Sequence, residues 1–221
     1  MHRRHSTAKN FNLKKEKIMI QKTYQQLTDL RLPGMRDALK QQMEFPNNFD
    51  LPFDERMSLI VSNEVITRTS NRINKLVKNA KFKVNAQPQD IIYDQNERKI
   101  DKSKVAQILS CQWLEKNQNV IIDGPTGIGK TFLACAIGYQ ICKNDHSVMY
   151  LKFANLINDI KMAKLDGSFK KLFAKLIKPK VIIFDEWGIA KIDSNVDKEI
   201  LDIFDDIYYS KSNIFVGAKT Y

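Results

Sequence analysis

The sequence predicts an α/β fold: a parallel sheet flanked by helices and preceded by a small all-helical domain. Three observations predict it. From about residue 100 onward, short apolar runs of strand length alternate with longer segments of helical periodicity. One of those runs, Asn119-Val-Ile-Ile-Asp123, leads straight into Gly124-Pro-Thr-Gly-Ile-Gly-Lys-Thr131, which has the spacing of a phosphate-binding loop. Before residue 84 the patterning is helical only.

Residues 1–18 are polar and basic, without periodicity, and Met19 is followed at once by an amphipathic pattern. They are assigned to a basic extension, either a disordered arm or upstream readthrough. Leu27, Leu30 and Leu32 form a helical stripe that ends at Pro33-Gly34, and Met35, Ala38, Leu39 and Met43 form a second. Pro46-Asn-Asn and Leu51-Pro52 mark a loop. Phe53, Met57, Ile60, Val61 and Val65 recur at helical spacing, with Asp54-Glu55 in the first turn. The pattern runs on through Ile73, Leu76, Val77 and Ala80, while Arg68, Arg72, Lys75 and Lys78 lie on the other face. This defines a helical domain over residues 19–83 with one cationic helix.

Residues 84–92 read as a linker into a second, α/β domain over 84–221 that carries the phosphate-binding loop. A helix is expected near 101–116 with Val105, Ile108, Leu109 and Trp113 inward. The strand at Asn119–Asp123 and the loop follow, then a helix over Thr131–Cys142. Ser147–Lys152 reads as a second strand. Two helices carry Leu156, Ile157, Ile160 and Met162, and then Phe169, Leu172, Phe173, Leu176 and Ile177, before Pro179. Val181-Ile-Ile-Phe184, apolar on both faces, reads as a central parallel strand. A helix over Val196–Tyr209 and a strand over Asn213–Val216 complete the alternation.

Composition narrows the function. No apolar run reaches the length of a membrane span, and no membrane partner is expected. Cys111, Cys135 and Cys142 form no metal spacing; an odd, sparse set suits a reducing cytoplasm and buried packing. The formal charge is +11 and clustered, in residues 1–18, in Arg68–Lys83, and from Lys161 to Lys180. Clusters of this kind are the footprint of a polyanion binder, and equally of a solvated face.

Three segments combine into one site. Gly124, Pro125, Thr126, Gly127, Ile128, Gly129, Lys130 and Thr131 place backbone N–H groups at a helix N-terminus, where anions bind. Lys130 is suited to the β and γ oxygens of a nucleotide and the Thr131 hydroxyl to Mg²⁺. Asp185 ends the third strand at the sheet's C-terminal edge, positioned to hold Mg²⁺ directly or through water. Glu186 can orient a water toward the γ-phosphate; two adjacent acids also occur in a solvated turn. A guanine-reading Asn-Lys-x-Asp segment is absent, which points to ATP.

Leu32-Pro-Gly-Met35, Phe53-Asp-Glu-Arg56, the phosphate loop, Leu165-Asp-Gly-Ser168 and Phe184-Asp-Glu-Trp-Gly188 together resemble the IstB-like ATP-binding proteins of insertion sequences. These are AAA+ P-loop NTPases related to DnaC-type helicase loaders. The resemblance covers about Met19 to Phe215 and implies ATP and Mg²⁺ as cofactors, self-association into an oligomer on double-stranded DNA, and delivery of that DNA to a transposase. By position it implies that Lys130 and Thr131 serve phosphate and Mg²⁺, that Asp185 and Glu186 are the Mg²⁺ and water-activating acids, and that Ile91 and Ile92 pack the adenine. Where the family places a polar sensor residue, this chain reads Val216-Gly-Ala-Lys219. The last core strand, the arginine finger and any lid are expected beyond Tyr221, which would leave the edge of the phosphate-loop strand exposed.

The leading expectation is therefore a DNA-dependent ATPase accessory to transposition, binding ATP better than it turns it over. Two others stay open: a replicative helicase loader, and a catalytically impaired DNA-binding remnant of a mobile element.

Overall fold

The computed structural model describes residues 19–44, 51–93, 100–188 and 197–217. The basic extension over residues 1–18, the loop at Pro46 and the Ala218-Lys219 pair lie outside the described residues. The chain divides into two compact units, residues 1–72 and 73–221. That division falls inside one continuous helix, whereas patterning alone suggests a boundary at residues 83 and 84.

The first unit holds α1, described over residues 19–29, α2 (Pro33–Glu44) and most of α3 (Phe53–Ala80). Gly34 explains how α2 approaches α3: a Cβ there would lie 2.6 Å from the Asn63 carbonyl oxygen and the Glu64 Cα, so only glycine fits. The approach is bonded as well as close. Asn63 Nδ2 donates to the Gly34 carbonyl at 2.8 Å, and the Met35 amide donates to Glu64 Oε2 at 3.1 Å. Glu64 is buried and its Oε1 is paired with Arg68 Nε at 2.7 Å. Burial pushes the Glu64 carboxyl up, but hydrogen bonds from Arg68 and the Met35 and Gly34 amides outweigh it and hold the pKa below the ordinary value. The first part of the apolar stripe of α3 forms as a helix but is not an inward face among the described residues. Phe53 is 72% and Val65 60% exposed, and Met57 and Val61 are exposed too.

In the second unit, Leu76, Val77 and Ala80 at the end of α3 pack into the core of the parallel sheet. α4 (Lys102–Leu109) starts at Asp101, whose side chain accepts from the amides of Ser103 and Lys104. The single helix expected over 101–116 is instead broken. Cys111 adopts a left-handed backbone at φ 60°, and a 3₁₀ turn spans Gln112–Leu114. The Trp113 indole N–H donates to the Ile108 carbonyl at 2.8 Å, taking the acceptor that a continuing α-helix would use.

β1 (Val120–Ile122), α5 (Lys130–Lys143), β2 (Val148–Lys152), α6 (Phe153–Leu165), α7 (Phe169–Ile177), β3 (Val181–Trp187), α8 (Asp197–Ser210) and β4 (Ser212–Gly217) follow. The strands form one parallel sheet in the order β1-β4-β3-β2. Apart from the broken helix near 101–116, the expected helices, strands and parallel pairing are present, and β4 lies between the phosphate-loop strand and β3. β1 is an edge strand among the described residues, and Ile121 is 75% exposed. A cavity of about 1220 Å³ runs along it, lined by Trp113, Ile121, Tyr208 and Phe215 and by no phosphate-loop residue.

Alternation along β3 and β4 builds two cores. Val181, Ile183, Ile214 and Val216 face α5, while Ile182, Phe184 and Phe215 face α6, α7 and α8. Burying a side chain such as Ile137 or Ile203, each 0% exposed, contributes about 1.5–3 kcal/mol. Cys111, Cys135 and Cys142 are free and buried, as expected of packing cysteines, and burial pushes Cys142 up to about 12.

Lys211 is a buried cation at the start of β4. Its ammonium donates to the Leu176 carbonyl at 2.6 Å and the Pro179 carbonyl at 3.1 Å, tying α7 to the sheet. Burial lowers its pKa from 10.5 to about 8. Between those values the unfolded chain binds more protons than the folded one, so the Lys211 contribution to stability rises with pH across that window. Below it, the folded state carries the full cost of a buried charge. In denaturant titrations, the parent chain is expected to gain stability relative to Lys211→Met as pH climbs through this range. Parallel curves would show a lysine that titrates normally.

Candidate functional site

The phosphate loop connects β1 to α5, and its shape follows from its glycines. Gly127 and Gly129 sit at φ 85° and 97°, conformations that L side chains rarely adopt. A Cβ on Gly127 would meet nothing within 4 Å, so the loop opens on solvent there. Gly129 is the residue before α5, and its carbonyl accepts the first helical bond from Leu133 N at 3.0 Å. The N-terminal amides of α5 therefore point into the loop. Pro125, Thr126 and Gly127 are exposed; Gly124, Ile128, Gly129, Lys130 and Thr131 are half-buried. Lys130 Nζ donates to the loop's own carbonyls, Gly124 at 2.8 Å and Pro125 at 2.7 Å.

α5 is rigidly placed. Ala134 through Gly138, Ile141 and Cys142 are all buried, so the helix is covered on most of its faces. A Cβ on Gly138 would lie 2.6 Å from the Phe82 ring and 2.9 Å from Ile183 Cδ1, which sets how close α5 comes to β3. That approach delivers Thr131 to Asp185. The Thr131 hydroxyl lies 3.1 Å from Asp185 Oδ1 and 3.0 Å from Oδ2. Asp185 is 2% exposed and also accepts from the Glu186 amide at 2.9 Å and from the Tyr150 hydroxyl. Burial and the adjacent Asp185 carboxylate push the Tyr150 phenol well above its ordinary pKa, so it remains a donor.

Glu186 is the point where β3 departs from regular pairing. Asp185 pairs with Val216 and Trp187 with Gly217, which leaves Glu186 as an extra residue with φ 61°. Regular alternation would send two consecutive acids to opposite faces. The bulge lets both work on the α5 side and turns Trp187 to the other. There Trp187 packs on Phe153, Phe204 and Phe215 with ring centroids 4.4, 5.0 and 4.9 Å away. Glu186 Oε1 is held by Lys152 Nζ at 2.7 Å and faces Lys83 Nζ at 3.6 Å. The Glu186 hydrogen bond raises the Lys152 pKa, so that ammonium stays charged.

The structure thus brings Lys130, Thr131, Asp185 and Glu186 to one edge of the sheet. The expected adenine pair divides. Ile91 is buried with Ala86, Val105, Cys135 and Ala136 beside the first turns of α5, while Ile92 is 61% exposed. Arg68, Arg72, Lys75 and Lys78 are all exposed residues of α3, remote in sequence from the loop, and Arg68 is engaged by Glu64. Patterning missed Tyr150, Lys152 and Lys83. Tyr150 and Lys152 lie on β2, whose pairing with β3 puts Lys152 beside Asp185 and Tyr150 two residues back on the same face, a register that periodicity does not reveal. Lys83 carried no signal.

Similarity to known proteins shows the family and the fold. Residues 25–221 match the family described as IstB-like ATP binding protein. The ATP-binding protein ascribed to insertion sequence IS1162 of Pseudomonas fluorescens is 36% identical over 200 residues, 90% of this chain and 87% of that protein. The insertion-sequence ATP-binding protein y4uH of Sinorhizobium fredii is 31% identical over 188 residues, 85% of this chain and 75% of that one. Among solved structures, AMPPCP-bound DnaA from Aquifex aeolicus superposes with a TM-score of 0.54 at 16% identity, over 63% of this chain and 43% of that one. DnaI superposes at 0.51 and 18% identity, over 65% and 74%. These two show the fold, a P-loop NTPase sheet of the AAA+ kind. With a phosphate loop, an adjoining Asp-Glu pair and relatives matched along nearly its whole length, the chain belongs to the IstB-like ATP-binding proteins of insertion sequences.

Proposed function

We propose that this protein binds Mg·ATP at Gly124–Thr131 and acts as a DNA-dependent AAA+ ATPase accessory to transposition, handing target DNA to a transposase. The observation that carries the nucleotide part is the bonded pair of Thr131 and buried Asp185 at the mouth of the loop. The donor set fits Mg²⁺. It offers one hydroxyl and one carboxylate, both hard oxygen ligands. Among the described residues no group of three or more His, Cys, Asp or Glu side chains could cage a metal. An ion there would draw its other oxygens from phosphates and water, which is how Mg²⁺ is commonly held. When bound, Mg²⁺ supplies charge neutralisation on the phosphates.

The remaining work falls to this chain. Backbone amides of the loop and of the α5 N-terminus hold phosphate oxygens. Lys130 exchanges its bonds to the Gly124 and Pro125 carbonyls for the β and γ oxygens. Glu186, oriented by Lys152, positions the attacking water. Ile91 offers an apolar surface for the adenine beside α5.

The DNA part rests on the insertion-sequence relatives and on the basic helix α3. Lys75 and Lys78, both exposed on α3, are the cations assigned to phosphate contacts. Duplex binding is expected to weaken with salt, with a slope of log affinity against log salt of roughly −2 or steeper if each neutralises one phosphate. Replacing Lys75 and Lys78 with alanine should flatten that slope by roughly two. A slope unaffected by both changes would place the DNA elsewhere. ATP turnover measured with and without duplex DNA tests the coupling of the two halves. The AAA+ fold shared with DnaI and DnaA keeps a replicative loader as the second reading. A neighbouring transposase gene favours the first, a replication setting the second.

A further inference from the structure

We propose that Tyr150 is a positioning residue for the Mg²⁺ site, holding the Asp185 carboxylate in the plane that Thr131 needs. The proposal rests on the Mg·ATP reading above.

The argument starts from register. β2 and β3 run parallel with Tyr150 opposite Ile183 and Lys152 opposite Asp185. Side chains two apart on a strand share a face, so Tyr150 reaches toward Asp185 along the sheet surface. Its ring is fixed by packing against the α5-side core, and only the hydroxyl at its tip meets the carboxylate. A phenol on a packed ring has little freedom, so its O–H defines a direction.

Donor accounting shows what that direction does. Asp185 is 2% exposed, so its oxygens depend on protein donors. Oδ1 receives the Glu186 amide at 2.9 Å. The Thr131 hydroxyl lies almost equally far from both oxygens, 3.1 and 3.0 Å, and has one proton to give. Tyr150 is therefore the donor that serves Oδ2 alone. A Thr131 oxygen that ligates a cation must keep its lone pairs toward the ion and aim its proton at Asp185. That is possible only while the carboxylate is held still on the far side. The Glu186 amide fixes one oxygen and Tyr150 the other. Removing the Tyr150 hydroxyl leaves the carboxylate free to turn about its Cβ–Cγ bond and to draw the Thr131 proton off line.

The test uses the full chain and a fluorescent ATP analogue, titrated with MgCl₂ and separately in EDTA. For Tyr150→Phe, the Mg²⁺ concentration at half-maximal enhancement of binding is expected to rise about tenfold, the low end of outer-shell effects on metal affinity. Nucleotide affinity in EDTA should stay as in the parent chain, because the ring and its packing remain, while the melting temperature falls by a few degrees as the buried Oδ2 loses a donor. An unchanged Mg²⁺ midpoint overturns the proposal. So does a joint fall of the melting temperature and the EDTA affinity, which would make Tyr150 a packing residue. If the parent chain shows no Mg²⁺ enhancement at all, the Mg·ATP reading itself fails, an outcome separable from the first two.

Discussion

Lys130→Ala is expected to weaken ATP binding about 100-fold, the usual worth of a charge-assisted hydrogen bond to phosphate. The chain should stay folded. Lys130 is half-buried and bonds to the Gly124 and Pro125 carbonyls, but the loop is shaped by Gly127 and Gly129 and α5 is fixed by its buried faces. Equilibrium binding of a fluorescent ATP analogue, with thermal melting alongside, reads both parts. ATP affinity within about threefold of the parent would mean that the ammonium stays on the loop carbonyls and contributes little to phosphate binding. Lys130→Arg is not a conservative control, because a planar guanidinium does not replace a point charge within a narrow loop.

Glu186→Gln is expected to leave ATP binding near the parent level and to slow hydrolysis about 10²–10⁴-fold, the usual contribution of a positioned base. The amide keeps the size and polarity of the carboxylate and removes its basicity. Single-turnover hydrolysis with protein in excess and duplex DNA present is the suitable measurement, since it does not depend on product release. Equal rates for both chains would remove Glu186 from the chemistry and leave its bond to Lys152 as a structural ion pair. A loss of ATP binding would instead show that the residue supports the loop. The bulge argues against that outcome, since Glu186 is itself unpaired in the sheet and its backbone is held by its neighbours, Asp185 paired with Val216 and Trp187 packed in the aromatic cluster.

How much of this site can be read in one dimension depends on how its parts are connected. The phosphate loop is contiguous, and its residues act through backbone conformation and through one another, so Gly124–Thr131 declares itself by spacing. Asp185 and Glu186 are legible because they terminate an apolar run. Tyr150, Lys152 and Lys83 reach the same carboxylates from other segments, and their part in the site depends on strand order and register. The expected helix over 101–116 failed for a similar reason. Its periodicity is genuine, but the Trp113 indole takes a backbone acceptor, and helical periodicity carries no trace of that exchange. The stripe on α3 shows the limit of periodicity from the other side: it predicts the helix, yet Phe53 and Val65 are exposed.

The sequence alone was enough for the α/β alternation, the phosphate loop and the acidic pair, because each is set by local chemistry: apolar period, glycine conformation and adjacency. Only the tertiary structure decided that β4 lies between the phosphate-loop strand and β3, and that Glu186 bulges so that both acids serve one face. It also decided that Tyr150 and Lys152 complete the ring of groups around those acids. Those features depend on which strand pairs with which and in what register, and pairing is settled by packing between segments far apart in the chain.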